Sequence, residues 1–226
     1  MQINQWTSAT ATPAQAATLL AMALVITIAS GIAPVDRVDW LLENAVPVTF
    51  LLTLTAAWRH LRLSWPAYFA ILVLIGIHGL GAHFTYAKVP YDEWSRHLTG
   101  HSLNAALGFK RNQYDRLVHF SYGLLILFPL REMLWRKASL RGVWLAVLAA
   151  SLVLATSSIY ELIEWIGGEY LGDDQAKAFL ATQQDPWDSQ KDVALAFLGS
   201  LISLTLHAVM TSAKISNSRH ATSSNA

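Results

Sequence analysis

Long apolar stretches dominate this chain, and short clusters of proline, glycine and charged residues separate them. A helix that crosses about 30 Å of hydrocarbon needs roughly 20 mainly apolar residues. Pro, Gly and charged residues mark the ends of such stretches. The predicted spans are residues 14–33, 41–58, 65–84, 114–134, 142–165 and 188–210. The pattern predicts an all-α polytopic membrane helix bundle of about six transmembrane helices.

Aromatic and basic residues support these boundaries and orient the bundle. The rings of Trp and Tyr favour membrane interfaces, and those near a predicted boundary are Trp40, Trp58, Trp65, Tyr68, Tyr114, Trp135, Trp165 and Trp187. Two short connections on one side carry Arg59, Arg62, Arg131, Arg136, Lys137 and Arg141. The positive-inside rule makes that side cytoplasmic, together with both termini. Residues 1–212 are predicted as a single transmembrane helical domain and residues 213–226 as a disordered polar cytoplasmic tail.

Composition excludes several classes of protein. The chain is 54% hydrophobic and only 14% charged, whereas a soluble domain is about a quarter charged. A net charge of +1 excludes a nucleic-acid or other polyanion binder. The absence of cysteine excludes disulfides, thiolate nucleophiles and Cys-ligated metal centres. The motifs typical of nucleotide-binding P-loops, zincin proteases and serine hydrolases are also absent.

Two long connections lie on the side opposite the basic turns. Residues 85–113 contain a predicted short helix over residues 92–107, which we interpret as an interfacial helix rather than a substrate lid. Its apolar positions are Trp94, Leu98, Leu103 and Leu107. The connection 167–187 is acidic, with Glu169, Asp173, Asp174 and Asp185, and Asp188 follows it. Gly167-Gly168 is expected to end the fifth span, as glycine commonly does at helix C-termini.

Ionisable residues within the spans fall at one depth near that same side. They are His78 and His83 on the third span, Asp115 and His119 on the fourth, Glu161 and Glu164 on the fifth, and Asp188 and Asp192 on the sixth. With a rise of 1.5 Å per residue, His119, Glu161 and Asp192 each lie about 6 Å from the end of their span. Spacings of three or four residues place each of the pairs on the fourth, fifth and sixth spans on one helix face. Such groups are costly in hydrocarbon unless they pair, bind an ion or face water, so the sequence predicts a shared polar pocket.

Three chemistries fit this pocket. Inward-facing carboxylates and imidazoles can hold a divalent metal ion. Alternatively, His119, Asp115 and Glu161 are candidate catalytic residues for general acid–base chemistry, or the groups form a proton or cation relay. A purely structural interpretation also stands: Asp115, Asp188 and Glu169 are boundary residues and caps, and the deeper groups pair with Arg116 and Lys191.

Three motifs carry a resemblance to a known family. They are Tyr114-Asp-Arg-Leu-Val-His-Phe120, Ser158-Ile-Tyr-Glu-Leu-Ile-Glu-Trp165 and Thr182-Gln-Gln-Asp-Pro-Trp-Asp-Ser-Gln-Lys-Asp192. Taken in this order they resemble the YjdF-like bacterial inner-membrane family, a domain of unknown function. The resemblance implies a multi-pass protein of the inner membrane and no established activity. A looser pattern, with D-x-x-x-H-F on one span and acidic residues on the next two, is similar to VanZ-like membrane proteins and implies a role at the outer leaflet.

The leading hypothesis is an inner-membrane protein whose outward-facing pocket binds a cation or a polar headgroup, with an envelope or lipid-related enzyme as its extended form. The partners are then the lipid bilayer and a lipid or envelope-related headgroup, and the predicted cofactor is a divalent metal ion. The predicted metal ligands are His119, Glu161, Glu164, Asp188, Asp192, His78 and His83. The alternatives are a proton- or cation-coupled small-solute transporter and a noncatalytic membrane scaffold.

Overall fold

The fold is a bundle of long membrane-crossing helices. A computed structural model describes the backbone of residues 9–170 and 185–223, with side chains described up to residue 212. Within these residues the chain forms eight helices and no strand: α1 Pro13–Ser30, α2 Arg37–Leu61, α3 Trp65–His83, α4 Tyr91–Thr99, α5 Leu103–Leu107, α6 Tyr114–Lys137, α7 Gly142–Tyr170 and α8 Asp188–Ser223. All but α4 and α5 are long and apolar enough to cross a membrane. The predicted all-α bundle with six spans is confirmed.

The second span is a continuous helix although Pro47 lies inside it. Its first turn is capped by the Asp36 carboxylate, which accepts the backbone N–H groups of Val38 and Asp39 at 2.8 and 3.0 Å. Such a cap satisfies donors that lack a partner within the helix. The helix therefore begins four residues earlier than the predicted span 41–58, which brings Asp39 into it.

Two expectations about the later helices need correction. Gly167 and Gly168 are expected to end the fifth span, but α7 continues through both to Tyr170. A glycine within a membrane helix keeps its backbone hydrogen bonds because lipid offers the released groups no water. The sixth span is predicted to end at residue 210, but α8 continues to Ser223. The assignment of residues 213–226 to a cytoplasmic tail stays a prediction.

The connection between α3 and α6 is ordered, and it contains two short helices rather than one. The predicted helix over residues 92–107 breaks at Gly100, whose φ of 77° is a left-handed conformation that suits glycine. Asp92 joins the two pieces by accepting hydrogen bonds from the Asn104 backbone N–H and the Ser102 hydroxyl, both at 2.8 Å. These bonds, with the Arg96 side chain at 3.1 Å, hold the pKa of the Asp92 carboxyl below its usual value. The four predicted apolar positions, Trp94, Leu98, Leu103 and Leu107, are all exposed.

Helix α6 lies in the middle of the bundle and packs against α3, α7 and α8. Its contact with α8 brings the two backbones together: a Cβ added to Gly123 would lie 1.7 Å from the carbonyl oxygen of Ala196, and one added to Gly199 would lie 2.3 Å from that of Phe120. Small residues permit this approach in membrane bundles. Gly123 and Gly199 are therefore two points of close backbone contact between α6 and α8.

Two ends of the bundle differ in chemistry. We call the end where α3 and α7 finish and α6 and α8 begin the loop face. The other end is closed by Glu132 of α6, which is 1% exposed. Its carboxylate accepts the Ser64 backbone N–H at 2.8 Å, the Ser64 hydroxyl at 2.7 Å and Arg136 Nε at 2.7 Å. Because Ser64 is the N-cap of α3, Glu132 satisfies the backbone N–H of the residue at which that helix begins.

Candidate functional site

The site at the loop face is built around His119, on the second turn of α6. The His119 side chain is nearly buried, and its Nε2 atom lies 3.3 Å from Glu161 Oε1 of α7 and 3.6 Å from Asp115 Oδ1 of α6. Asp115 and His119 share a face because they are four residues apart. The three candidate catalytic residues, His119, Asp115 and Glu161, therefore lie together.

Asp192 of α8 completes a group with the geometry of a metal site. One ligand atom from each of Asp115, His119 and Asp192 lies within 4.8 Å of the other two. One imidazole nitrogen and two carboxylate oxygens suit zinc, manganese or iron. Two of these ligands come from α6 and one from α8, so the direct backbone contact between those helices fixes the spacing of the set.

Two carboxylate oxygens at this centre lack hydrogen-bond donors within the described part of the chain. They are Oδ1 of Asp192, which is 2% exposed, and Oε1 of Glu161. The Glu161 carboxylate does accept a hydrogen bond from the Ser189 side chain. Buried polar atoms are nearly always satisfied, so both oxygens are available for a cation. His119 Nε2, which carries positive charge only when the ring is protonated, lies 3.3 Å from Glu161 Oε1.

Asp188 takes a different role from Asp192. Its carboxylate contacts Arg111 and also lies 3.2 Å from Arg116. Arg116 binds Asp185 at 2.6 Å, and Lys191 binds the same Asp185 carboxylate at 2.6 Å. The Lys191 ammonium, the Trp187 backbone N–H and Arg116 hold the pKa of the Asp185 carboxyl far below its usual value. The structural interpretation therefore fits Asp188, which is paired with arginines, while Lys191 pairs outside the deeper group.

Glu164 and the two histidines of α3 differ in whether they interact with the residues of the centre. Glu164 is 9% exposed and interacts electrostatically with Glu161, Asp115 and Asp192. His83 Nδ1 instead lies 2.9 Å from the carbonyl oxygen of Ser30 at the end of α1, so this ring contacts α1.

His78 is held by a tyrosine from the connection after α3. The Tyr86 hydroxyl lies 2.5 Å from His78 Nδ1. Burial, together with the negative charges of Glu43, Asp115 and Glu164, raises the pKa of that hydroxyl well above its usual value. The tautomer of His78 decides which of these two groups donates, and its Nε2 atom is buried without a hydrogen-bond partner in the described part of the chain. His78 therefore stays a predicted ligand.

A fifth helix, α2, also contributes to the site, although the sequence pattern did not predict it. Glu43 is 3% exposed and accepts a hydrogen bond from the Tyr160 hydroxyl at 2.7 Å. Glu43 is also in electrostatic range of Asp115 and Glu161, and the Tyr160 ring meets the His119 ring edge to face at 6.1 Å. The available signal was the four-residue spacing of Asp39 and Glu43, which a span starting at residue 41 cuts apart.

Part of the predicted acidic connection lies outside the described residues. Asp173 and Asp174 fall there, as do Thr182, Gln183 and Gln184 from the third sequence motif. Glu169, which the structure does describe, is exposed at the end of α7.

Comparison with known proteins gives two matches. Residues 15–213 match a family model described as "Predicted membrane protein (DUF2238)". The chain is also similar to "Inner membrane protein YjdF" of Escherichia coli (strain K12), with 37% identity over 178 residues, which is 78% of this chain and 81% of that protein. No solved structure matches.

Proposed function

This chain belongs to the DUF2238 family of predicted membrane proteins, and from that premise we propose that it is an inner-membrane protein that binds a divalent metal ion near one membrane face. The observation that carries the proposal is the convergence of Asp115, His119 and Asp192, whose ligand atoms lie within 4.8 Å of one another. The inner-membrane location is supported by the similar E. coli protein, which is named an inner membrane protein, and by the six long apolar helices.

The charge balance at the loop face supports a bound cation. Seven carboxylates lie buried or half-buried there: Asp39, Glu43, Asp115, Glu161, Glu164, Asp188 and Asp192. Among the described residues, the guanidinium groups within this layer are Arg111 and Arg116, and both contact Asp188. Ionised carboxylates are costly in a low-dielectric medium unless they are neutralised. A divalent ion would neutralise two of the carboxylate charges that the arginines leave unpaired. The loop face, which carries these carboxylates, is therefore where such an ion would bind.

Each residue has a role in this proposal. Asp115, His119 and Asp192 are the ligands, and the Glu161 carboxylate beside His119 is either a further ligand or the base that accepts a proton from a metal-bound water. Asp188 anchors Arg111 and Arg116 at the rim instead of binding the metal. A metal ion beside two arginines suits a phosphate-bearing polar headgroup, so an enzyme acting on such a headgroup is the extended form of the proposal.

A transporter fits less well. Within the described residues, the buried carboxylate of the opposite half is Glu132, and its three hydrogen bonds to Ser64 and Arg136 leave it fully engaged. A cation crossing the bilayer needs successive sites that it can enter and leave. The polar layer is instead concentrated at one face.

Metal analysis of the purified full-length protein tests the proposal. We expect about one equivalent of zinc or manganese per chain in wild type after equilibration and removal of free ion, and a large loss in Asp192→Asn. Glu161→Ala is expected to lose the ion if Glu161 is a further ligand and to keep it if Glu161 is the base. Glu93→Gln, which removes an exposed carboxylate of α4 at the same face, is the matched control and is expected to retain the ion. Equal and negligible metal in wild type and all variants, with size-exclusion profiles unchanged, contradicts metal binding.

A further inference from the structure

Carboxylates on α2 form a row that leads from the loop face toward the metal centre. Asp36, Asp39 and Glu43 are spaced by three and four residues, so they share one helix face. Successive members are about 4.5 and 6 Å apart along the axis. Asp36, the N-cap, is half-buried, whereas Asp39 and Glu43 are 4% and 3% exposed. The row therefore runs from the edge of the protein into its interior.

The middle member of this row is unsatisfied. Both carboxylate oxygens of Asp39 lack a hydrogen-bond partner within the described part of the chain. A buried carboxylate without donors is strongly unfavourable, and buried polar atoms left without partners are rare in native structures. Asp39 interacts electrostatically with Asp36 and Glu43, which carry the same charge. Repulsion by these two carboxylates makes a bound cation at Asp39 more favourable.

The outer end of the row is accessible from the loop face. Lys88, an exposed residue of the connection after α3, is the positively charged group in electrostatic range of Asp39. The backbone N–H of Val35 also donates to the carbonyl oxygen of His83 at 2.9 Å, which ties the chain just before α2 to the end of α3. A cation that enters along this row meets Asp36 first and Asp39 next.

The inner end of the row reaches the proposed ligands. The Tyr160 hydroxyl donates to Glu43 Oε2 at 2.7 Å, and the Tyr160 ring packs against His119. Glu43 is also in electrostatic range of Asp115, one of the ligands, and of Glu161. A cation that leaves Asp39 for Glu43 is then next to the centre.

We propose that Asp39 and Glu43 form the entry path through which a divalent cation reaches the Asp115, His119 and Asp192 centre from the loop face. The inference rests on the proposed metal binding and adds the route. Negative charges along a route raise association rates by tenfold or more, so the path is expected to act on the rate of loading rather than on the final occupancy.

Loading kinetics of the full-length protein test the path. Chelator-stripped protein in nanodiscs is mixed with Zn²⁺, and uptake is followed by competition with a fluorescent zinc indicator. We expect Asp39→Asn, a change of nearly equal volume, to slow loading and release about tenfold, with the same final stoichiometry as wild type. Lys88→Gln, an exposed change that removes the positive charge at the mouth, is expected to speed loading. Glu93→Gln is the control and is expected to load at the wild-type rate.

Each other outcome has a distinct meaning. Asp39→Asn that loads at the rate of Glu93→Gln overturns the path while leaving the centre intact. Asp39→Asn that loses the final stoichiometry makes Asp39 a ligand, which also overturns the path. Lys88→Gln that loads no faster than wild type contradicts the position of the mouth. Wild type that takes up no zinc refutes the proposed function itself, and the path with it.

Discussion

Removing the Glu132 carboxylate should destabilise the bundle more than any exposed acidic substitution. Glu132 is 1% exposed and joins two parts of the chain that are far apart in sequence: Ser64 at the start of α3 and Arg136 on its own helix α6. Glu132→Gln keeps the shape of the side chain and removes its charge. Glu132→Ala removes the hydrogen bonds as well.

The magnitude follows from the three hydrogen bonds. A hydrogen bond to a charged group contributes about 1.5–3 kcal/mol, but bonds that share one carboxylate are not additive. Breaking a buried ion pair by deleting one partner costs about 3–5 kcal/mol. We therefore expect Glu132→Ala to lower the free energy of unfolding by about 4 kcal/mol and Glu132→Gln by about 2 kcal/mol. The amide oxygen of Gln can still accept the Ser64 backbone N–H, and its NH2 group can donate to the Ser64 hydroxyl oxygen.

Unfolding by SDS in mixed micelles, followed by helical circular dichroism, measures this change. Glu93→Gln is the control, because an exposed substitution changes stability by no more than about 0.5 kcal/mol. Combining Glu132→Gln with Arg136→Met should be less destabilising than the sum of the two single variants, with a coupling of at least about 1 kcal/mol. Stability of Glu132→Ala within experimental error of Glu93→Gln would refute the assignment of this carboxylate as a clamp.

Three further predictions concern the helix contact, the centre and the acidic connection. Gly123→Ala should destabilise the protein by more than about 3 kcal/mol or prevent its assembly, because the added methyl meets the Ala196 carbonyl. Gly76→Ala is the control and should be tolerated, because its Cβ meets nothing within 4 Å. Equal unfolding curves for these two variants would contradict the contact. Tyr160→Phe leaves Glu43 without its donor and should weaken metal affinity about tenfold in a titration, so an unchanged affinity would separate Tyr160 from the centre. Because the pKa of Asp185 is lower in the folded protein, its ionised carboxylate stabilises the fold at pH values above the unfolded pKa of about 3.9, and this stabilisation is lost as the pH falls through the folded pKa. Thermal unfolding of Asp185→Asn should therefore depend less on acid pH than that of wild type. Parallel profiles of unfolding temperature against pH would contradict this.

The placement of the ionisable residues at one membrane face can be predicted from the sequence because two simple constraints act together. Apolar length fixes where each span lies, and the spacing of three or four residues fixes which polar residues share a face. Asp115, His119, Glu161 and Asp192 meet both constraints, and the structure brings them together. Chain parity placed them at one face even though their positions in sequence differ by up to 77 residues, the separation of Asp115 and Asp192.

The remaining parts of the site depend on neighbours that spacing does not reveal. Asp188 resembles Asp192 in sequence, and only the location of Arg111 and Arg116 separates their roles. Glu43 was not predicted as part of the site because Pro47 and the neighbouring polar residues made the start of α2 difficult to locate from the sequence. Glu132 lies beside basic residues at the end of α6, where charge is informative about orientation and says nothing about a partner near Ser64.

The glycine contact between α6 and α8 has a mechanical consequence. Helices α6 and α8 touch at Gly123 and Gly199, so they cannot slide past each other by a fraction of a turn without a steric clash. The two helices therefore behave as one rigid unit. Any conformational change must therefore move α6 and α8 together, which keeps Asp115, His119 and Asp192 at fixed positions relative to one another.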